Sequence, residues 1–565
     1  MQSEFALSSS LKGDNVAKFL ITSALPYVDG IMHLGNLVGS VLPADVYYKY
    51  LTMKGEDVIF ICGSDQHGTP IEIKALEQRI DPEKLANELH EKTKELLERF
   101  ECTFTYYGKT GSEANKSVVY EVFEALRKNG YIIETKSNVP YCNIDRRFLP
   151  DRFIEGTCPY CKSGNARGDQ CDNCGHLLDP KDLIKPYCKL CGNKEIVFKA
   201  MKNLALDLEK LQPKISEFVS KESKNDWSKN AVNKTLSRFE EGLKPREITR
   251  SLRWGFPVPL KGFEEVVFYV WITGLLGYIG ITKEWSSRWK EYWTDRQRIL
   301  VQFMGKDNIE FHTIVGPGVL LGSNLGYILP HTIRASEFLS AKGLKFSKSR
   351  GIGLNIQNAL DILKPDYWRF VLMYLYPETS DTEFTIALLI EIVNNIMNDK
   401  IGNLVNRVLT LTKNNSALVK LDGVSAHKTY KKRIDERIEK YENNFKHFRL
   451  REALFNIVEL ADLGNEIMST KEPWSLAKGA ANDKTAATEF NDLMATLLAI
   501  TRDIGILLWP FTPNASANIL KHFKIEPKLD NLKSDLSLDL GESTRQIFTK
   551  ITEGEKADLE KFSGD

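Results

Sequence analysis

Two Cys-x2-Cys pairs, Cys158/Cys161 and Cys171/Cys174, sit nine residues apart within a chain of 565 residues. Each pair offers two thiolates from one tight turn, and two such turns complete a tetrahedron, so the spacing predicts a zinc knuckle. The segments on either side have a different periodicity. Before the knuckle come a short apolar strand at Phe19–Ile21, a helix reaching Tyr50, a second strand at Val58–Cys62, and an amphipathic helix from Pro82 to Phe100 opened by Asp81-Pro82. After it the strand pattern resumes at Val266–Trp271 and Arg298–Phe303. This alternation predicts a parallel α/β sheet split by the cysteine-rich insert. Beyond about residue 384 the pattern changes to long helical periods, Leu388–Leu411 and Leu450–Met468, which predict a helical domain.

Composition narrows the function classes. The 76 Lys and Arg residues against 75 Asp and Glu leave a net charge of +1, so any nucleic-acid site is a local patch rather than a property of the whole surface. No apolar run reaches the roughly 18 residues of a membrane span, and the first residues lack the apolar core of a signal peptide, which predicts a cytoplasmic protein away from membranes. Nine cysteines in such a chain point to thiols and metal ligands rather than disulfides. Cys62 and Cys102 read as core thiols. A second metal group is Cys142-x2-Asp145 combined with Cys188-x2-Cys191, because carboxylate is a legitimate zinc ligand. His176 is the rival fourth ligand. Four protein ligands leave no open coordination position, so the one or two zinc ions expected here are structural.

The chemistry is carried by two other segments. A strand leading into Gly30, His33, Gly35 and Asn36, which open a helix, places backbone N–H groups and an imidazole where phosphate oxygens can sit. In Lys345-Phe-Ser347-Lys348-Ser, two ammonium groups lie three residues apart on a loop flanked by Gly343 and Gly351. Such a loop can close on a departing pyrophosphate and neutralise its charge.

With those two motifs, His33-Leu-Gly-Asn36 and Lys345-Phe-Ser-Lys348-Ser, the chain resembles the class I aminoacyl-tRNA synthetases, and among them the methionyl-tRNA synthetases in their two-zinc-knuckle form. The resemblance implies a Rossmann-like parallel-sheet catalytic domain split by a zinc-knuckle connective insert and followed by an all-α anticodon-binding bundle. It divides the chain into a disordered extension (1–17), a first catalytic half (18–138), the connective insert (139–255), a second catalytic half (256–335), a lysine-loop stem-contact region (336–383) and the anticodon-binding domain (384–565). It implies ATP-dependent ligation of methionine to its tRNA through methionyl-adenylate, with magnesium accompanying ATP.

By the same resemblance His33, Asn36, Lys345 and Lys348 serve catalysis, and Gly35, Gly305, Asp307, Ser347 and Lys348 contact ATP. Leu25, Tyr27, Asp65, Trp271, Tyr278 and His312 form the methionine pocket. The residue types suit those roles: Asp65 pairs with an ammonium, and Leu25, Trp271 and Tyr278 offer an apolar, aromatic box to a thioether. Where the family usually has Trp-x-Asp-Ala-Pro, this chain has Trp271-Ile-Thr273-Gly274-Leu275. Asn403 and Arg407, on one helix face, together with Trp474, match the positions that read the anticodon, where stacking and base-edge hydrogen bonds are needed. Methionine, ATP and the initiator and elongator methionine tRNAs are the implied partners. The chain ends soon after the helix containing Leu507-Leu-Trp-Pro510. That predicts a monomer, with room for a separate tRNA-binding partner. Two other readings compete: a class I synthetase for a different aliphatic amino acid, and a zinc-containing tRNA-binding protein without catalysis. The short stretch between the catalytic halves, too small for an editing domain, opposes the first. Intact Lys345 and Lys348 oppose the second.

Overall fold

The computed structural model describes residues 16–168, 171, 174, 176, 178–341, 344–345, 354–420, 428–480, 483–539 and 546–561. Strands β1 (Lys18–Ser23), β2 (Asp57–Ser64), β3 (Tyr106–Lys109), β4 (Arg298–Gly305) and β5 (Thr332–Ser336) pair in parallel in the order β5-β4-β1-β2-β3. Their apolar runs reflect burial on both faces. Ile21, Phe60 and Val301 join one core, while Leu20, Ile59, Ile61, Leu300 and Ile333 join another on the opposite side. The chain leaves β1 toward β2 and β3, but β4 and β5 add on the other flank. The carboxyl ends of β1 and β4 therefore border the crevice where doubly wound sheets bind ligands.

The helix after β1 starts at His33 and passes through a π turn at Leu37–Val41 into α1 (Leu42–Lys54), which Gly55 ends in the left-handed conformation at φ 84°. Asp81 caps Pro82–Arg99 by accepting from the amides of Glu83 and Lys84, as the Asp-Pro sequence predicts. Between β3 and β4 in sequence, Ile132–Cys142 and Ile196–Leu206 form a long antiparallel hairpin, paired from Ile132 opposite Leu206 to Cys142 opposite Ile196. Beyond its tip lies a small sheet of Ala166–Arg167, Ile154–Thr157 and Ile184–Cys188.

One expected strand is corrected. Of Val266–Trp271 only Val267–Phe268 is extended; it pairs antiparallel with Thr249–Arg250, outside the main sheet, and α2 (Val270–Trp285) begins directly after it. Ile272, Leu276, Tyr278, Ile279 and Ile281 are all buried, so this helix is apolar around its circumference. An unbroken apolar run of that kind does not distinguish a buried helix from a strand.

From Ile386 onward the described residues are predominantly helical, with long helices at Lys428–Lys446, Leu450–Lys471 and Lys484–Leu508. This bundle is tied to the sheet domain through α3 (Pro365–Tyr374). Arg369, wholly buried, donates to Asp45 Oδ2 in α1 at 2.6 Å. It also donates to the carbonyls of Phe100 at 3.2 Å, Glu101 at 3.1 Å, Pro510 at 2.7 Å and Phe511 at 2.9 Å. A buried guanidinium is tolerable only when paired and hydrogen-bonded in this way. Those partners lie in three separate parts of the chain.

Candidate active site

A cavity of about 380 Å³ opens at the switch point of the sheet, lined by Ala24, Leu25, Pro26 and Tyr27 after β1 and by Gly305, Asp307 and Asn308 after β4. Its other walls are His33, Gly35 and Asn36, then Asp65, then Trp271, Gly274, Leu275 and Tyr278 of α2, then Phe311 and His312. Of the residues predicted from sequence to serve catalysis, ATP or methionine, all those before Lys345 thus come together. The helices that follow β1 and β4 into the cavity wall each carry a π turn, Leu37–Val41 and Phe311–Val315. Such bulges re-aim side chains without breaking the helix.

His33 is the helix N-cap: its Nδ1 accepts from the Asn36 amide at 3.0 Å, which in the neutral ring puts the proton on Nε2. Gly35 presents no side chain to the cavity. At Gly305 a Cβ would lie 2.7 Å from Asp307 Oδ1, so the glycine leaves that carboxylate its present position.

Asp65 sits at the end of β2, its backbone bridged to Tyr27, with Asp65 N donating to Pro26 O at 2.8 Å. Burial pushes its carboxyl up to about 7, against the opposing pull of hydrogen bonds from Thr110 and the His67 amide. A cation bound beside it would reverse that shift. His312 is buried, and burial brings its imidazole down to about 4, so it is neutral at physiological pH. Its Nδ1 faces the Asn308 carbonyl at 2.9 Å and must donate, which leaves Nε2 to accept from the Tyr278 hydroxyl at 2.9 Å. The Arg246 guanidinium lies 3.6 Å from the Trp271 ring centroid, and the Phe311 ring, tilted at 58°, has its centroid 3.7 Å from it. These contacts hold an amphipathic ring at the cavity wall.

Gly274 and Leu275, where the sequence departs from the family pattern, both line the cavity, whereas Phe311 and Arg246 were not singled out from sequence. Phe311 adjoins His312, and that proximity was the available signal. Arg246 reaches the site only through the insert, which no local pattern reveals. Lys345 lies in the short strand Leu344–Lys345, paired with Leu339–Ala341 beside the cavity, whereas Ser347 and Lys348 lie outside the described residues.

Two groups of four potential metal ligands are assembled in the insert. In Cys158, Cys161, Cys171 and Cys174, and again in Cys142, Asp145, Cys188 and Cys191, all four ligand atoms lie within 4.8 Å of one another. Soft thiolates at tetrahedral spacing are the donor set that zinc takes. His176 belongs to neither group; its ring stacks on Tyr160 with centroids 4.5 Å apart. In the helical domain the Arg407 guanidinium lies 5.7 Å from the Trp474 ring, and Trp474 is 37% exposed, rare for a large apolar side chain here. Asn403 donates to Asp399 at 3.3 Å one turn away.

A parallel sheet with this crevice and a histidine-capped helix at its edge, in a chain that carries the two sequence motifs, define a class I aminoacyl-tRNA synthetase. A family model described as tRNA synthetases class I (M) matches residues 19–409, and one described as the anticodon binding domain of methionyl tRNA ligase matches residues 422–565. The methionine--tRNA ligase of Pyrobaculum islandicum is 42% identical over 556 residues, covering 97% of this chain and 96% of the relative. That of Pyrobaculum calidifontis is 43% identical over 480 residues, covering 83% and 84%. The fold matches a crystal structure of Mycobacterium tuberculosis methionyl-tRNA synthetase bound by methionyl-adenylate, with a TM-score of 0.77 at 18% identity over 94% of this chain and 100% of that one. The chain belongs to the methionyl-tRNA synthetase family. No helix among the described residues is long and apolar enough to cross a membrane.

Proposed function

We propose that this chain activates methionine with ATP and transfers it from an enzyme-bound methionyl-adenylate to methionine tRNA. The observation that carries this reading is the membership of the family together with a cavity in which the Asp65 carboxylate is held beside Gly274, where no side chain intervenes. A methionine ammonium placed there neutralises a carboxylate that burial otherwise disfavours. Leu25, Trp271 and Tyr278 enclose the thioether, and the neutral His312 holds the Tyr278 hydroxyl. Tyr27 closes the same wall from the end of β1.

Adenylation needs no general base. A methionine carboxylate oxygen attacks the α-phosphorus and the bond to pyrophosphate breaks, so the task is positioning and neutralising charge. Gly35 and Gly305 let phosphate and ribose approach the backbone, Asp307 orders the turn after β4, and His33 and Asn36 donate toward the phosphates. Lys345, Ser347 and Lys348 stabilise the departing pyrophosphate. Magnesium accompanying ATP would add further charge neutralisation. Cys158, Cys161, Cys171 and Cys174, and Cys142, Asp145, Cys188 and Cys191, would each hold a zinc ion whose role would be to keep the insert in shape. Asn403, Arg407 and Trp474 read the anticodon, the ring stacking on an unpaired base. The setting of such an enzyme is the cytoplasm.

Pyrophosphate exchange with methionine, leucine, isoleucine, valine and cysteine tests the reading. Exchange is expected with methionine; exchange supported better by another amino acid, or by none, overturns it.

A further inference from the structure

Helix α2 carries three glycines at intervals of three, Gly274, Gly277 and Gly280, which lie against Asp65, Thr110 and Asn115 in turn, with Leu25 also close to Gly277. A Cβ at Gly274 would lie 3.3 Å from Asp65 Oδ2, one at Gly277 2.8 Å from the Thr110 methyl, and one at Gly280 2.5 Å from Asn115 atoms. The helix therefore docks flush against Asp65, Thr110 and Asn115. Polar bonds continue the same line. Thr110, wholly buried at the end of β3, donates from Oγ1 to Asp65 Oδ1 at 3.2 Å and accepts from the Gln66 amide at 3.0 Å. Asn115, also wholly buried, donates from Nδ2 to the carbonyl of Thr110 at 2.7 Å and to the carbonyl of Thr273 in α2 at 3.0 Å. Its Oδ1 has no hydrogen-bond partner. A buried amide oxygen is left unpaired only at a cost, and here the same side chain makes two carbonyl bonds through Nδ2.

We infer that Thr110 and Asn115 are positioning residues of the methionine site: Thr110 orients the Asp65 carboxylate toward the substrate ammonium, and Asn115 locks Thr110 to the helix bearing Trp271 and Tyr278. The inference rests on the assignment of Asp65 to the ammonium. Neither residue touches substrate. The hydroxyl of Thr110 has one hydrogen; it accepts from Gln66 N, so that hydrogen is committed to Asp65 and favours the ionised carboxylate.

The ionisable groups facing Asp65 leave its titration visible. Tyr27 from the turn after β1 and Tyr278 from α2 are held well above the ordinary phenol range by burial. His67, on the loop of Asp65 itself and 3.4 Å from Thr273 Oγ1, is brought down to about 4 by burial, as is His312 behind Tyr278. Asp29 and Arg152 act on Tyr27. Burial pushes Asp65 itself up to about 7, apart from Tyr27, Tyr278, His67 and His312.

The test is pyrophosphate exchange by the full-length protein from pH 5.5 to 9, reading kcat and KM for methionine and for ATP. Thr110→Val should move the acid limb of kcat/KM for methionine upward by about one pH unit, a roughly tenfold rise in methionine KM below the limb. The ATP KM and the kcat at pH 9 should stay within twofold. Thr110→Ser, which keeps the hydroxyl, should return the limb to the wild-type position, and Asn115→Ala should displace it in the same direction as Thr110→Val. If Thr110→Val does not fold, Thr110→Ala is read in the same way. An unmoved limb, a shift that Ser does not reverse, or equal loss for ATP and methionine overturns the inference. Asp65→Asn separates it from the underlying assignment: if that variant binds methionine as wild type does, Asp65 is not the ammonium partner and the proposed pocket itself is wrong.

Discussion

Arg369→Met tests the joint between the sheet domain and the helical bundle. Methionine preserves length and apolar bulk but removes the charge and all guanidinium donors. Glu101 O keeps the Lys49 ammonium at 2.8 Å, while the carbonyls of Phe100, Pro510 and Phe511 lose the guanidinium donor. Three such losses at about 1 kcal/mol each come to about 3 kcal/mol. Asp45 retains Lys49 and the Thr103 amide at 2.7 Å, so it is weakened but not stranded. The total falls within the roughly 3–5 kcal/mol expected for breaking a buried pair. The assay is urea unfolding followed by tryptophan fluorescence. A chain of several domains need not unfold in one step, so the quantity compared is the free energy of the first transition. Because Pro510 and Phe511 are held to α1 only through this side chain among the bonds described, tRNA charging should fall further than pyrophosphate exchange in the folded range. A loss below about 1 kcal/mol, or full stability in Arg369→Lys, whose three donors cannot span five acceptors, would refute the reasoning.

Metal analysis of the purified protein should give two zinc ions per chain, and Asp145→Ala should lower that to one while leaving the Cys158 group filled; unchanged stoichiometry would remove Asp145 from the ligand set. Trp474→Ala should reduce tRNA charging at least tenfold and leave pyrophosphate exchange within twofold, since the ring is exposed and stabilises nothing in the core; equal loss of both activities would mark a folding defect instead. Gly63→Ala would place a Cβ 2.3 Å from the Gly108 carbonyl oxygen, forcing β2 from β3 next to Asp65. It should cost at least the 1–3 kcal/mol typical of overpacking, measured as a fall in the unfolding midpoint, and an unshifted midpoint would contradict the close strand approach described here.

Features written in short sequence windows were legible. The two Cys-x2-Cys turns, the Asp81-Pro82 cap and the strands at Phe19–Ile21, Val58–Cys62 and Arg298–Phe303 each depend on residues within a few positions of one another, and each appears where its spacing predicts. The second metal group was also accessible, because Cys142 and Cys188 bracket the inner turns and the hairpin between Ile132 and Leu206 brings them together. The stretch Val266–Trp271 was misread because an apolar run with polar breaks nowhere has no period to read. The position of Phe311 on the cavity wall depends on how the Phe311–Val315 turn is rotated, which adjacent residues do not specify.

Local chemistry in the chain was enough to set the class of fold, the metal groups and the residue types that can handle an ammonium, a thioether and phosphates. Their meeting in one cavity was decided by the crossing of the chain from β1 to β4, which places segments far apart in sequence at adjacent carboxyl ends. The state of Asp65 was decided there too. An aspartate in the sequence is an ordinary acid; burial against glycine-lined α2 drives its carboxyl toward neutrality, and only Thr110, anchored by Asn115, opposes that from a side chain. Desolvation acts through everything packed around a group, so it belongs to the tertiary structure and to no segment alone.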